Sequence, residues 1–274
     1  MSVKLYWWRS RNGGHNLGDE LTPILLKELF EIDAELSPMA SADIVGAGSV
    51  LGWAWSLPGA ADNTMVREIH VVGSGLMKPE PPNVHLDGLK LHSVRGYLSK
   101  ALLPESMTEQ TTVGDPGLLV SRVVHEQRGV RHRLGVIPHV GWIGRSRFAE
   151  LTAGLPEHTV IDFRTDNLQE ILSQMSQCEV ILSQSLHGLI LSDALRIPNA
   201  WLDLGSLHPG GSFKFYDYFS SVGRPFEDAL TVDDSMTWRS IDDAVFQISG
   251  ARLRARQHEI LQAFRSAIDA SGAA

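Results

Sequence analysis

Short apolar runs alternate with longer stretches of helical spacing along this chain, and the alternation restarts once. Strands are predicted at Val3–Trp8, Asp43–Val45 and His70–Val72, with helices over Leu21–Phe30 and Ser93–Leu103. After GDPGLL at Gly114–Leu119 and the charged HEQRGVRHR at His125–Arg133, the pattern begins again. Strands follow at Arg133–Ile137, Thr159–Asp162, Glu179–Ser183 and Ala200–Leu202, with helices near Ser146–Leu155, Leu168–Gln177 and Leu186–Leu195. Strands separated by helices are joined by crossovers and so run parallel. The restart predicts an α/β protein of two Rossmann-like halves, residues 1–125 and 126–274, facing across a cleft. The helical tail, Ile241–Ala270, is broken at Gly250 and placed to pack back on the first half.

One stretch imitates a membrane span: Ile44–Ala61 carries no charge over 18 residues. Gly46, Gly48, Gly52, Pro58 and Gly59 break it, so it reads as a buried strand feeding a tight loop. In the tail, Arg252, Arg254, Arg256 and Arg265 are expected on a solvated helix face rather than against anionic lipid.

Charge excludes a broad class of partners. Lys and Arg number 24 against 32 Asp and Glu, a net of -8, so the field that sequence-independent nucleic-acid binding uses is missing. The single cysteine, Cys178, offers neither an internal disulfide nor a cysteine zinc site, and the first residues lack an apolar leader core. The expected location is the cytoplasm.

Open α/β sheets bind ligands at the carboxyl ends of their strands. NGGHNLGDE, Asn12–Glu20, lies between the first strand and first helix, where glycines admit a close ligand and the helix offers N–H groups to an anion; Asp19 as a helix cap is the plainer reading. GAGS at Gly46–Ser49 and GSG at Gly73–Gly75 each follow a strand and together suggest a pocket wall, without the third glycine and downstream acid of a dinucleotide fingerprint. SVRG places Arg95 at a helix start, where its planar fork suits a carboxylate or phosphate. Asp115 in GDPGLL is either a general base or a turn-forming side chain. In Cys178–Pro198 a buried strand runs into a polar corner, with His187 and Gly188 in the first turn of the next helix beside Ser183 and Ser185. His139, after Pro138, is a weaker counterpart. SFKFYDYF, Ser212–Phe219, supplies Lys214 within an aromatic run expected to form core or wall.

In chain order, Asn16–Asp19, GAGS, GSG, SVRG, GDPGLL, Ile137–His139, SLHG at Ser185–Gly188 and KFYDY at Lys214–Tyr218 resemble the polysaccharide pyruvyl transferase family, especially the short exopolysaccharide ketal-pyruvate transferases of bacteria. The resemblance runs roughly from Tyr6 to Gly223. It implies a glycosyltransferase-B-like fold and transfer of pyruvate from phosphoenolpyruvate onto two hydroxyls of one sugar, with no other cofactor and no metal. The acceptor would be a saccharide of an exopolysaccharide or its lipid-linked precursor, the latter bringing the protein to the inner membrane face. Relatives often carry Ser-Ser-x-x-His-Gly or an arginine before Leu-His-Gly; Gln184 and Ser185 stand there, so that loop brings no arginine to the donor.

Ketal formation from an enol phosphate requires protonation of the methylene carbon, cationic charge at the central carbon, attack by sugar hydroxyls and loss of phosphate. Candidate acid–base groups are His187, Asp19 and Asp115. Arg95, His187 and Lys214 are candidates for the donor's negative charge, and Asn16, Gly18, Gly48, Ser49, Gly73, Ser74, Gly75, His139, Ser185 and Gly188 for the surrounding walls. Two other classes compete: a nucleotide-sugar-dependent glycosyltransferase of the same layout, and a catalytically inactive sugar-binding module.

Overall fold

The computed structural model describes residues 2–10, 13–57, 68–80, 86, 88–124, 129–205, 211–232 and 236–272. Among them the strands are β1 (Ser2–Tyr6), β2 (Asp33–Leu36), β3 (Ile44–Val45), β4 (Ile69–Ser74), β5 (Leu89–Val94), β6 (Thr112–Val113), β7 (His132–Ile137), β8 (Thr159–Val160), β9 (Cys178–Ser183), β10 (Asn199–Asp203) and β11 (Leu230–Thr231). The α-helices are α1 (Leu17–Phe30), α2 (Leu51–Ala54), α3 (Tyr97–Lys100), α4 (Glu105–Thr108), α5 (Ser146–Thr152), α6 (Leu168–Ser176), α7 (Leu186–Ala194), α8 (Phe213–Val222), α9 (Trp238–Ala244) and α10 (Gly250–Ser271), with a 3-10 helix at Pro116–Arg122.

Two parallel sheets result. The first is six-stranded, in the order β2-β1-β3-β4-β5-β6, and the second five-stranded, in the order β11-β10-β9-β7-β8. Counted from its own first strand, the first runs 2-1-3-4-5-6 and the second 2-1-3-4-5, so the order reverses between β1 and β3 in one and between β7 and β9 in the other. Each sheet therefore has a topological switch point, where α/β sheets leave a crevice outside the strand ends. Strands covered on both faces read as apolar runs, and β4, IHVVGS, is buried throughout.

The largest apolar core runs through both sheets' helices. It joins Leu5, Leu21 and Leu25 to Ile137, Ile181 and Ile190, and to Ile260 and Phe264 of α10. That last helix is capped by Ser249, whose side chain accepts from Arg252 N, and packs on β4, β5 and β6. Gln257 Nε2 donates to Leu118 O at 2.8 Å and Arg256 Nη1 to Val113 O at 3.2 Å. Arg256 is thus buried rather than on the solvated face, while Arg252, Arg254 and Arg265 are exposed.

Several local expectations need correction. Ser93 and Val94 close strand β5, and the helix expected over Ser93–Leu103 shrinks to α3. Leu89–His92 alternates apolar and polar residues at period two, a signature of a strand rather than of a helix. α1 opens four residues before Leu21, which puts Gly18 and Asp19 in its first turn; Asn16 holds the cap position, though its side chain makes no capping bond. The uncharged run breaks into β3, a loop and α2, with residues 58–61 outside the described part. Among described residues, no helix is long and apolar enough to cross a membrane.

Candidate active site

The two carboxyl edges meet at the start of α1. Leu17 N donates to Phe163 O, just beyond β8, at 2.9 Å. At the next residue, His187 of α7 lies on Gly18: a Cβ there would sit 2.1 Å from His187 Nδ1, so only glycine fits. Among the described residues, His187 Nε2 is buried without a hydrogen-bond partner. Burial first, then the charges of Arg95 and Lys214, push the imidazole down to about 3. The ring is therefore neutral at neutral pH.

Arg95 occupies the corner between β5 and α3, with 1% of its surface exposed. Its Nε donates to Asp217 Oδ2 at 3.0 Å, Nη1 to Ser49 Oγ at 2.7 Å and Nη2 to Leu76 O at 2.6 Å. A Cβ at Gly75 would reach within 2.4 Å of the guanidinium carbon, so GSG is the seat of this side chain. Asp217 also accepts from Ser99 N and Ser99 Oγ, both at 2.7 Å. The fork that suits an anionic ligand is thus engaged within the protein, tying α8 to the first sheet.

One turn before Asp217 on α8, Lys214 is half-buried and interacts with Asp19 and His187. Burial, and then Arg95, lower its ammonium to about 8, against the pull of Asp19. Asp19 is raised to about 7 by burial, opposed by Lys214 and by the amide of Asn16, which donates to its Oδ2 at 2.5 Å. Asp115 is likewise raised to about 6 by burial. Its Oδ1 accepts from Gly117 N at 2.9 Å, the turn-forming role, while Oδ2 is buried with no partner among described residues. Asp19 thus lies beside the ammonium of Lys214 and feels the charge of Asp115.

The glycine loops build the wall. Gly48 O accepts from Gly75 N at 2.9 Å and from Ser74 Oγ at 3.1 Å, so Ser74 braces the two loops instead of facing a ligand. Asp19 Oδ1 lies 3.7 Å from where Gly48 would carry a Cβ. Gly73 abuts Pro116, and Gly188 lets α7 close on Ser183 Oγ. Ser185 N donates to the same hydroxyl at 3.1 Å. His139 stands apart with Lys214 at the rim of an open cavity in the second half, its Nδ1 accepting from Gly141 N at 3.0 Å. Among described residues His15, Glu20 and Asp166 could hold a metal ion, their ligand atoms lying within 4.8 Å of one another, although Arg9 already approaches Glu20 at 3.7 Å.

Two contributors escaped the motif reading. Asp217 lies within KFYDY at helical spacing from Lys214, a signal visible once that run is read as a helix. Tyr6 ends β1; its hydroxyl is raised by burial and by Asp19.

Residues 83–206, which hold Arg95, Asp115, His139, Ser185 and His187, match the family model of the polysaccharide pyruvyl transferases. Over that segment the chain is similar to the polysaccharide pyruvyl transferases. It is 28% identical over 226 residues to the succinoglycan biosynthesis protein ExoV of Rhizobium meliloti (strain 1021), covering 81% of this chain and 65% of that protein. It is also 33% identical over 139 residues to the uncharacterized protein L143 of Acanthamoeba polyphaga mimivirus, covering 48% of each. The chain thus spans about half the length of one curated relative and under two thirds of the other. Asn16, Gly18, Asp19 and Lys214, which complete the site around the pyruvyl transferase segment, lie outside the 83–206 match.

Proposed function

We propose that this protein transfers pyruvate from phosphoenolpyruvate onto two hydroxyls of a saccharide, in an exopolysaccharide or its lipid-linked precursor, forming a cyclic ketal. The reading needs no cofactor beyond the donor. It places the two sheets in a glycosyltransferase-B-like arrangement and the protein in the cytoplasm, at the inner membrane face when the acceptor is lipid-linked. The observation that carries it is the meeting of both sheets' carboxyl edges where His187 lies on Gly18, with Lys214 acting on both His187 and Asp19.

Lys214 neutralises the donor's carboxylate or phosphate. A proton delivered to the methylene carbon leaves cationic charge at the central carbon, where the first sugar hydroxyl attacks and loses its proton. Phosphate departs with the C–O bonding pair, and the second hydroxyl closes the ketal, losing its own proton. The net change is one proton gained by carbon, one carried off as hydrogen phosphate, and two surrendered by the sugar. Asp19 suits this exchange, because at about 7 it is present in both protonation states at working pH. His187, against the donor, holds the phosphate or passes a proton once the bound anion raises its pKa. Arg95 is a positioning residue: through Asp217 it holds the helix that carries Lys214.

The test is phosphate release from phosphoenolpyruvate by purified protein, with a panel of synthetic or lipid-linked glycosides. Lys214→Gln is expected to raise the donor KM about 10- to 100-fold, the usual worth of a hydrogen bond to a charged group. Wild-type donor affinity should weaken as pH rises through the Lys214 value of about 8. Calorimetry that found tight nucleotide-sugar binding and none for phosphoenolpyruvate would transfer the assignment to a glycosyltransferase.

A further inference from the structure

A cavity of about 380 Å³ opens at the carboxyl ends of β9 and β10, lined by Gln184, Trp201, Asp203, Lys214, Tyr216 and Asp228 among others. That volume falls in the ~300–1,000 Å³ range of small-molecule sites. Its aromatic wall is packed ring against ring. The Trp201 ring stacks on Phe215, centroids 4.3 Å apart and planes at 20°, and meets the edge of Tyr216 at 5.9 Å. The polar rim is set before any ligand arrives. Asp203 Oδ1 accepts from Gly205 N at 2.7 Å, and Gln184 Nε2 donates to Gly205 O at 2.8 Å. Beyond the rim, Tyr216 meets Phe226 at a tilt, centroids 5.4 Å apart and planes at 42°, and Phe226 is 61% exposed.

The charge of the lining decides what fits. Asp203 and Asp228 are exposed carboxylates, acceptors only, and they repel a phosphate or second carboxylate. Hydroxyl donors on a neutral ring satisfy them, and the C–H face of a pyranose suits a fixed aromatic surface. Lys214 borders this cavity and also interacts with Asp19 and His187, so it marks the boundary between the His187 site and an acidic, aromatic cavity. We infer that the Trp201–Tyr216 cavity binds a neutral pyranose of the acceptor glycan, with the rest of an oligosaccharide leaving along Phe226, while the anionic donor stays on the other side of Lys214. The inference rests on the pyruvyl-transfer reading for the identity of the two ligands.

Saturation-transfer NMR on the wild-type protein, without donor, tests occupancy with methyl β-glucopyranoside, methyl β-galactopyranoside and a β-linked glucose tetrasaccharide as probes. Contact from at least one probe is expected, stronger for the tetrasaccharide and undisturbed by added uridine diphosphate. Phe226→Ala and Asp228→Ala alter exposed side chains and leave the core intact. Phe226→Ala should abolish the tetrasaccharide's advantage, and Asp228→Ala should weaken every probe about tenfold or more. In the phosphate-release assay both should raise the acceptor KM and leave the donor KM within twofold. No contact from any probe, displacement by uridine diphosphate, or a donor KM that rises instead would overturn the assignment. Saccharide contact without phosphate release from phosphoenolpyruvate would sink the pyruvyl reading and leave the sugar pocket standing; release without saccharide contact would do the reverse.

Discussion

The two sheets share a strand order, yet their switch points are built from different materials. Around β1 and β3 the surface is glycine loop and backbone, braced internally by Ser74 and Gly48, with Asp19 in the first turn of α1. Around β7 and β9 it is side chain: Gln184, Ser185 and His187, with Lys214 arriving from α8. The first edge lets another element approach closely and supplies the carboxyls of Asp19 and Asp115, and the second sends in the imidazole and the ammonium. Gly18 against His187 is where this division shows, since the imidazole occupies the volume a side chain would need. The same contrast separates the two cations. Arg95 is buried and held by Asp217, whereas Lys214 is half-buried, with its ammonium at the border between compartments.

The strongest test of the division is His187. His187→Ala is expected to lower turnover ~100- to 10,000-fold if the ring moves a proton. Gln keeps a hydrogen-bond donor but cannot titrate, so near-normal turnover in His187→Gln would leave only the phosphate-holding role. Near-normal turnover in the Ala variant would show that the second edge does not carry the chemistry.

The next largest effect sharpens the contrast between the cations. Arg95→Ala leaves Asp217 buried and uncompensated, a loss of about 3–5 kcal/mol of stability measurable by urea unfolding. Arg95→Lys should restore only part of it, because an ammonium cannot reproduce the three directed bonds to Asp217, Ser49 and Leu76. Unchanged stability with weakened phosphoenolpyruvate binding would instead make Arg95 a direct donor ligand.

The smallest effect is a pH dependence. In the unfolded chain the imidazole takes a proton below its ordinary 6.5, while folded His187 resists until about 3. Acid therefore favours the unfolded state through this residue, by about 1.4 kcal/mol per pH unit across that interval. His187→Gln removes the term, so between pH 6.5 and 5 the variant should gain about 2 kcal/mol relative to wild type. Parallel stability curves would mean that the folded ring titrates normally and is not sealed against Gly18.

Much of this was legible in the chain itself. Periodicity at two and at 3.6 marked the central strands and the long helices, because a residue buried on both faces of a parallel strand, or on one stripe of a helix, must be apolar whatever its partners. The glycine loops and the Leu-His-Gly corner announced strand ends for the same local reason. Short edge strands such as β2, DAEL, and β11, at Leu230–Thr231, carry too little pattern to be read. What only the tertiary structure decided was which charges are spent and which are available. Arg95 and Asp217 are 122 residues apart, and His187 meets Gly18 from the other sheet. Burial and pairing set the state of each group, and both depend on neighbours that folding, not sequence spacing, brings within reach.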